Sequence, residues 1–289
     1  MNPDTEAVNP RSRDIDRKTL PEILRIINDE DHLVADAVKR VLPQGALLVE
    51  RIAEKLAGGG RLFYVGAGTS GRIGVMDAAE CPPTYGVSPD SIIALIAGGP
   101  EAVFRARETA EDNAGEGKAL MEFHAVCGKD IVVGLSASGS TPFVAAALKE
   151  ARARGAATAA VLCNAGGSVT ENADLAIPLL TGPEVITGST RMKAASAQKM
   201  FLNMVSTAVM IRLGKVTGNF MTSLKPRNKK LRERACFIVS SVTGVSQETS
   251  EKLLERNQYD VRETVNALRK RKHGEPRIES LAHPVSCKG

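Results

Sequence analysis

The sequence predicts an α/β fold, a five-stranded parallel sheet flanked by helices. Five short runs rich in Ile, Val, Leu and Ala recur through the central part of the chain, as is typical of strands buried on both faces. Helical patterns alternate with these runs at a spacing that favours right-handed crossovers between parallel strands. We expect the strands at 61–66, 91–97, 130–136, 157–163 and 175–180.

Helices are expected before, between and after these strands, where apolar residues recur on one helical face. Pro43 is expected to break the second helix. Residues 1–18 are polar and lack such a pattern, so we expect them to be extended or mobile. The expected helices are 20–28, 35–56, 113–126, 141–153 and 190–213.

The last of these helices, 190–213, is rich in Ala, Met and Val. An apolar helix of this kind belongs in a core or in an interface between subunits rather than on an open surface. Met200, Val205, Val209 and Met210 offer more apolar surface than one small domain readily covers. We therefore expect a homodimer.

The character of the chain changes after Gly214. The stretch Lys225-Pro226-Arg227-Asn228 has the composition of a linker, and three short amphipathic helices follow it within 229–272. These helices are enough for a small subdomain of low intrinsic stability. The expected parts are an N-terminal arm with helices that pack on the core (1–56), a central α/β domain (57–220), and a helical C-terminal subdomain with a tail (221–289).

Composition narrows the function classes. The content of 43% hydrophobic and 25% charged residues is typical of a globular protein. The absence of Trp and the presence of only 3 Tyr disfavour the stacking platforms that bind single-stranded nucleic acid. No apolar run approaches the roughly 20 residues of a membrane helix. We expect neither a nucleic acid nor a membrane as a partner.

Cysteine and histidine usage points to a reducing compartment and to no metal. The 5 cysteines are scattered without C-x-x-C spacing, and the 4 histidines show no ligand spacing. The polar N-terminus lacks the apolar core of a signal peptide. We expect a cytoplasmic protein without a bound metal.

Two loops rich in glycine and hydroxyl side chains follow the first and third expected strands. Each lies where a parallel strand would end and a helix would begin, and backbone N–H groups at a helix N-terminus favour an anion. Hydroxyl groups add hydrogen-bond donors. The pair predicts a phosphorylated small molecule at the carboxyl ends of the strands. The candidate binding residues are Gly68, Thr69, Ser70, Ser136, Ser138, Ser140 and Thr141.

The first loop has two other interpretations. Gly66-x-Gly68-x-x-Gly71 matches the dinucleotide fingerprint, but the next strand ends in Ile96-Ala97-Gly98-Gly99, without the acidic residue that would bind a ribose hydroxyl. Alternatively, the glycines serve only tight packing of strand and helix. The second loop makes both interpretations less favourable than phosphate binding.

Two glutamates are candidates for acid–base work. Glu80 lies at the end of the helix that the first loop opens, where Pro82 and Pro83 are expected to stop it. Glu111 lies in an acidic cluster after the second strand. Carboxylates in different environments can divide the acid and base roles. The alternative is that each glutamate only faces water or interacts favourably with the dipole of a nearby helix.

Thr187-Gly-Ser-Thr-Arg-Met-Lys193 opens the long apolar helix. Ser189, Arg191 and Lys193 could hold a substrate carboxylate or phosphate at this helix N-terminus. From the spacing alone, an ordinary N-cap at Ser189 or Thr190 is an equally good interpretation.

Longer motifs identify a resemblance. The paired loops resemble the sugar-phosphate site of the SIS (sugar isomerase) fold. The whole set, from about Thr5 to the C-terminal helices, resembles the N-acetylmuramic acid 6-phosphate etherase family. The motifs are Gly66-Ala-Gly-Thr-Ser-Gly-Arg72, Asp77-Ala-Ala-Glu-Cys-Pro-Pro-Thr84, Ala110-Glu111-Asp112, Thr187-Gly-Ser-Thr-Arg-Met-Lys193, Ile26-Ile-Asn-Asp-Glu-Asp31 and Gly214-Lys-Val-x-Gly-Asn219.

The resemblance implies an activity. The family cleaves the D-lactyl ether of N-acetylmuramic acid 6-phosphate with water, by elimination and then hydration, in cell-wall amino-sugar recycling. It works as a homodimer without a cofactor, and its two acid–base glutamates fall on Glu80 and Glu111. Ser140 departs from the pattern, since close relatives carry Arg there.

Two other functions of SIS folds stay open. A sugar-phosphate-binding regulator would keep the phosphate loops and need neither glutamate. A sugar-phosphate isomerase would need a base at C2 but no acid directed at C3. The presence of both glutamates favours the etherase.

Overall fold

The computed structural model describes residues 4–224, 226 and 228–272. The chain divides into two compact units, Met1–Pro83 with Val87–Gly214, and Thr84–Gly86 with Lys215–Gly289. The expected tail at 274–289 and two residues of the expected linker, Lys225 and Arg227, lie outside the described residues. Among the helices of the described residues, none is both long and apolar enough to cross a lipid bilayer.

The predicted α/β fold with a five-stranded parallel sheet is confirmed. All strand pairs are parallel, and the strand order is β2-β1-β3-β4-β5. The strands are β1 (Leu62–Gly66), β2 (Ile92–Ile96), β3 (Ile131–Ser136), β4 (Ala157–Leu162) and β5 (Leu175–Pro178). The α-helices are α1 (Leu20–Arg40), α2 (Leu42–Ala57), α3 (Gly68–Tyr85), α4 (Glu101–Phe104), α5 (Ala114–Phe123), α6 (Pro142–Ala153), α7 (Ser168–Glu171), α8 (Lys193–Arg212), α9 (Lys229–Thr243), α10 (Gln247–Arg256) and α11 (Val261–Lys272).

Helices cover both faces of the sheet. On one face, Phe63 and Val65 of β1 pack in a cluster with Phe143 and Leu148 of α6 and with Met121 of α5. Side chains alternate along a strand, so the residue between Phe63 and Val65 faces the other side. There Tyr64 meets α3, while α8 packs against α1 and α2. This burial from both sides explains why the strands are continuous apolar runs.

The helix α1 is longer than expected. It begins at a capping box in which Glu22 accepts from the backbone N–H of Thr19 at 2.8 Å. It runs on to Arg40 because Val34 and Ala37 continue its buried face. The break expected at Pro43 falls between Arg40 and Leu42 and leaves Pro43 in the first turn of α2, where a missing N–H is tolerated.

Two further helix boundaries differ from those expected. Pro82 and Pro83 do not stop α3, which ends at Tyr85. The proline ring fixes φ near the helical value, so both can complete the last turn at the loss of backbone hydrogen bonds. The helix α8 begins at Lys193 rather than at 190, because turns occupy the preceding residues and Gly188 has a φ of +74°.

The N-terminal arm, expected to be extended or mobile, is anchored instead. Thr5, Asn9 and Ser12 are buried. Each makes a hydrogen bond to a distant segment: the Asn9 Nδ2 donates to Pro183 O at 3.1 Å, and the Ser12 hydroxyl donates to Val185 O at 2.6 Å. Such polar anchors leave no periodic pattern in a sequence, which is why the expectation failed.

The smaller unit contains the three helices expected in the C-terminal part. Gly244 ends α9 in the left-handed region, with a φ of +78°. Ser246 then caps α10 through its hydroxyl, which accepts from Thr249 N at 3.1 Å. The core of this unit consists of Leu224, Ala235, Ile238, Val239, Leu254, Val261 and Val265.

Candidate active site

The two hydroxyl loops follow neighbouring strands. β1 and β3 are adjacent, with Gly66 opposite Leu135 in the register, so the loops after them meet at one edge of the sheet. The strand order also reverses between β1 and β3, since β2 lies on one side and β4 and β5 lie on the other. Ligands of doubly wound sheets bind in the crevice at this switch point.

The glycines of the first loop allow a close turn. A Cβ atom on Gly66 would lie 2.8 Å from the backbone N of Gly71, and one on Gly71 would lie 2.6 Å from Ile96 Cγ1. Gly68, the first residue of α3, has a φ of +52°. Tight packing therefore accounts for Gly66 and Gly71, and the left-handed φ accounts for Gly68. This arrangement leaves the hydroxyls of Thr69 and Ser70 in the first turn of the helix.

The hydroxyls of the second loop form one connected cluster. The Ser136 Oγ lies 2.8 Å from Thr141 Oγ1 and 3.4 Å from Ser138 Oγ. The Ser140 hydroxyl donates to Ser138 Oγ at 3.3 Å. A hydroxyl can donate or accept, so a phosphate oxygen can replace one of these partners without leaving a buried group unsatisfied.

Asn164 holds the second loop in place by hydrogen bonds to its backbone, a contact that the sequence did not suggest. Its Nδ2 donates to the carbonyl oxygens of Ala137 and Ser138 at 3.2 and 3.1 Å. Its Oδ1 accepts from the backbone N–H of Thr5 at 3.2 Å, and Nδ2 also donates to Thr5 Oγ1 at 2.9 Å. The only signal was its position, two residues after β4 at the same edge of the sheet.

Glu111 lies on a short 3-10 helix, Glu108–Asp112, that packs against α6, the helix that the second loop opens. This segment also approaches the end of β2, because a Cβ atom on Gly98 would lie 3.0 Å from Ala110 Cβ. Arg72 supports the chain leading to it, with Nε donating to Val103 O at 3.0 Å. The structure thus brings Glu111 to the same edge of the sheet as the two loops.

The environment of Glu111 shifts its titration. Partial burial raises the pKa of the Glu111 carboxyl, and the neighbouring carboxylates of Asp112 and Glu108 raise it further. A carboxyl with a raised pKa is closer to the protonation balance that acid–base catalysis near neutral pH requires.

Glu80 lies far from the loops of its own chain. It is exposed on α3, twelve residues after Gly68. At 1.5 Å of rise per residue, this separation is about 18 Å along the helix axis, which is longer than a hexose phosphate. Most of the length of α3 therefore separates Glu80 from the first loop of its own chain.

Asp77, one turn before Glu80, is internal. Its carboxylate accepts from Tyr64 OH at 3.1 Å, from Asn203 Nδ2 at 2.9 Å and from Ser206 Oγ at 3.0 Å. Burial raises the pKa of the Asp77 carboxyl, while these donors lower it. The network ties α3 to β1 and α8, so it fixes the direction in which the neighbouring Glu80 projects.

The N-terminus of α8 is already occupied by a carboxylate of the protein. Glu184 accepts from the backbone N–H groups of Lys193 and Ala194, each at 2.9 Å. The side chain of Lys193 is buried and donates to Glu30. The N-cap at Ser189 or Thr190 was therefore the wrong interpretation. Lys193 is engaged within the protein, which leaves partly buried Ser189 and exposed Arg191 as candidates for a substrate carboxylate.

A metal site is not part of this arrangement. Across residues 4–224, 226 and 228–272, no group of three or more His, Cys, Asp or Glu side chains is placed to hold a metal ion.

Comparisons with known proteins agree with this geometry. The family described as glucokinase regulatory protein N-terminal SIS domain matches residues 46–152, and the SIS domain family matches residues 116–210. An N-acetylmuramic acid 6-phosphate etherase of Mycolicibacterium smegmatis is 51% identical over 87% of this chain and 84% of its own length. One of Cronobacter sakazakii is 48% identical over 90% of this chain and 88% of its own.

Solved structures support the fold. A phosphoheptose isomerase from Francisella tularensis has a TM-score of 0.52 at 16% identity, covering 66% of this chain and 98% of its own. A phosphoheptose isomerase from Neisseria gonorrhoeae has a TM-score of 0.51 at 16% identity, covering 66% of this chain and 99% of its own.

Proposed function

The chain belongs to the N-acetylmuramic acid 6-phosphate etherase family, and from this premise we propose that it cleaves the D-lactyl ether of N-acetylmuramic acid 6-phosphate. Water is the co-substrate, and the products are N-acetylglucosamine 6-phosphate and D-lactate. This is the chemistry of a carbon–oxygen lyase in cell-wall amino-sugar recycling. The observation that carries the proposal is that two hydroxyl loops follow the adjacent strands at the switch point of the sheet, while the segment of Glu111 packs against α6, the helix that the second loop opens.

The phosphate of the substrate is assigned to the two loops. One face of it would meet Gly68, Thr69 and Ser70 at the start of α3. The other would meet the hydroxyl cluster of the second loop, Ser136, Ser138, Ser140 and Thr141. Helix N-termini and neutral hydroxyls suit a phosphate dianion because they supply donors that need no counter-charge. Arg191 and Ser189 are the proposed contacts of the lactyl carboxylate.

The reaction requires an acid and a base. When the sugar ring opens, an aldehyde forms at C1 and acidifies the hydrogen at C2. A carboxylate removes that proton, the C3–O bond breaks, and a carboxylic acid protonates the departing lactate. Addition of water across the resulting double bond then returns hydrogen to C2 and places hydroxyl at C3. Each general acid or base contributes about 10²–10⁴-fold, and we assign these roles to Glu80 and Glu111.

We propose further that Glu80 acts on the sugar bound by the second subunit of a homodimer. The separation of about 18 Å between Gly68 and Glu80 along α3 is longer than a hexose phosphate, which supports a Glu80 that serves the partner's sugar rather than that of its own chain. In a twofold dimer, the C-terminal end of α3 from each subunit can reach the sugar site of the other. Because the symmetry makes this contact twice, both sites then contain a Glu80. Glu111 stays with the loops of its own chain.

The surface of α8 supports a dimer. Val205, Val209 and Met210, which were expected to contribute to the interface, are buried in the core of their own unit. Met200, which was also expected there, does reach the surface of α8, together with Met204 and Ile211; the three are exposed by 38, 42 and 53%.

Two grooves flank the exposed face of α8, with volumes of about 930 and 430 Å³. Both share Met204, Ala208 and Ile211, and the larger one reaches Thr69 of the first loop. An exposed apolar stripe with grooves on both sides is typical of a subunit interface. Its continuity with Thr69 supports an interface next to the phosphate site.

The test is incubation with N-acetylmuramic acid 6-phosphate in water enriched in ¹⁸O. We expect release of D-lactate without label and N-acetylglucosamine 6-phosphate labelled at the C3 hydroxyl, because elimination and hydration break the bond between C3 and the ether oxygen. An isomerase would rearrange the sugar without releasing lactate, and a regulator would bind without turnover. Either result would contradict the proposal.

A further inference from the structure

A polar cavity of about 510 Å³ lies entirely within the smaller unit. Its size falls in the range of small-molecule sites. Three cationic side chains line it: Lys215 before the helices, Arg232 on α9 and Arg262 on α11. None of the three forms an ion pair with any other part of the chain that the structure describes.

The positive charge of this cavity is not balanced by the carboxylates that line it. Asp260 is the one carboxylate among its lining residues, and its Oδ1 accepts from the backbone N–H of Glu263 at 2.8 Å at the start of α11. Three positive groups therefore face one carboxylate that is already used as a helix cap. A cluster of unpaired cations in a concave site attracts an anion, and it does so more strongly there than on an open surface.

The donors are held in place. The Arg232 guanidinium lies over the ring of Tyr259, 4.8 Å from its centroid, so its plane is fixed while its N–H edge stays available. Gln258 and Tyr259 have φ values of +51° and +60°, although neither is a glycine. Consecutive left-handed residues with side chains are disfavoured, and they concentrate where a ligand or a turn must be held.

One residue of the cavity wall carries an unsatisfied polar atom. The hydroxyl oxygen of Ser223 is shielded from solvent and has no hydrogen-bond partner. The neighbouring hydroxyl of Thr222 is already paired with Thr217 at 3.0 Å. Buried polar atoms are satisfied in folded proteins unless a ligand or water completes them, so Ser223 indicates a missing acceptor or donor at this place.

We propose that this cavity is a second anion site, which binds a phosphate monoester through Arg232, Arg262 and Lys215, next to the unsatisfied hydroxyl of Ser223 in the cavity wall. The two guanidinium groups match the paired oxygens of a phosphate, and the cavity has room for the sugar or nucleoside that carries it. The site is built from other residues than the hydroxyl loops and does not depend on the reaction at the sheet.

The test is isothermal titration calorimetry on the full chain, with inorganic phosphate and glucose 6-phosphate as probes. It starts from the variant Ser138→Ala/Thr141→Ala, in which the hydroxyl cluster at the sheet is weakened. We expect one binding event to remain. Adding Arg232→Gln and Arg262→Gln should weaken it about tenfold or more, since each lost bond to a charged group contributes of the order of one such factor.

The control is Arg256→Gln, which removes the same charge from an exposed position at the end of α10, outside the cavity. It should leave the affinity unchanged, and Arg262→Lys, which keeps the charge, should restore part of the lost affinity. Circular dichroism verifies that the variants fold. Three results would overturn the proposal: no binding in the starting variant, binding that survives loss of both arginines, or equal weakening by Arg256→Gln.

Discussion

Lys193 and Glu30 form a buried ion pair between helices α8 and α1, across 163 residues of sequence. The Glu30 carboxylate also accepts from Asn9 Nδ2 at 2.8 Å and from Arg11 Nη1 at 3.2 Å. Burial alone would raise the pKa of Glu30, but the hydrogen bonds from Lys193 and Asn9 and the charges of Lys193 and Arg11 hold it below its usual value. One carboxylate therefore joins the N-terminal arm, α1 and α8.

This pair predicts a pH dependence of stability. A carboxyl whose pKa is lowered in the folded state stabilises it at any pH above the pKa of the unfolded state, and this contribution is lost as pH falls through the folded pKa. At pH 7, Glu30→Gln should lower the free energy of unfolding by about 3–5 kcal/mol, because Lys193 is left buried without its partner.

The difference between Glu30→Gln and the original chain should shrink as pH falls below about 4, where the original also loses the charge. Denaturant titrations between pH 3 and 7 measure it, with the exposed Glu54→Gln as control. A difference independent of pH would contradict a role for the ionised Glu30.

The hydroxyl cluster predicts a loss of phosphate binding. Ser138→Ala/Thr141→Ala removes two of the four connected hydroxyls, and we expect the KM for the sugar phosphate to rise about tenfold or more. Ser88→Ala is the matched control, since Ser88 is exposed and precedes β2, at the opposite edge of the sheet. An unchanged KM in a folded double variant would remove the second loop from the site.

The two glutamates predict different effects on proton exchange. Loss of the base at C2 should abolish both lactate release and exchange of the C2 hydrogen with solvent deuterium. Loss of the acid at C3 should slow lactate release by about 10²–10⁴-fold but leave part of the exchange, because the proton is removed before lactate departs. Mass spectrometry of the recovered sugar phosphate, for Glu80→Gln and Glu111→Gln, assigns the roles. Near-normal lactate release by both variants would rule out the two-carboxylate mechanism.

The length of α3 predicts complementation between subunits. Glu80→Gln and Ser138→Ala/Thr141→Ala are each expected to have low activity when both subunits of the dimer carry the same substitutions. In a mixed dimer, one site has intact loops from the first chain and Glu80 from the second. Random exchange should therefore restore about a quarter of the original activity, since half of the dimers are mixed and half of their sites are complete.

The control for complementation is Glu111→Gln mixed with Ser138→Ala/Thr141→Ala. Glu111 and the loops belong to one chain, so no mixed dimer contains a complete site and no activity should return. Recovery in this control, or none in the first mixture, would contradict a Glu80 that acts across the interface.

The exposed apolar side chains of α8 predict that negative charges introduced among them will separate the subunits. Met204→Asp/Ile211→Asp places two carboxylates in the proposed interface, and sedimentation velocity should show a monomer with little activity. Leu24→Asp, at an equally exposed apolar position on α1, should remain a dimer. An active monomer of the original chain would remove the homodimer from the account.

Patterns in the sequence predicted the features that depend on neighbouring residues, above all the strands and the loops that follow them. The strands were found within one or two residues, because burial on both faces leaves continuous apolar runs such as that of β3. The loops at their ends could be located for the same reason. The two loops were expected at one edge of the sheet, because parallel strands place their carboxyl ends together, while the catalytic role of Glu111 stays a prediction.

Long-range partners could not be predicted in this way. Lys193 looked like a ligand for an anion because nothing near it in the sequence reveals Glu30. Thr5 lay in a segment without periodicity, yet its partner Asn164 is 159 residues away. The separation of Glu80 from the first loop is a different case, because both lie on a helix that was expected from the sequence, and the two prolines that α3 continues through come after Glu80.

The ion pair between Glu30 and Lys193 also sets an order of events during synthesis. A ribosome that adds about 5–20 residues per second needs roughly 8–33 s to cover the 163 residues between them. Throughout that interval α1 is complete and Arg11 is present, but Lys193, the buried cation that pairs with the inward-facing carboxylate of Glu30, does not yet exist. The arm and α1 must therefore wait in solvent while the whole sheet is made, and a nascent chain that stops before α8 has no means of closing this side of its core.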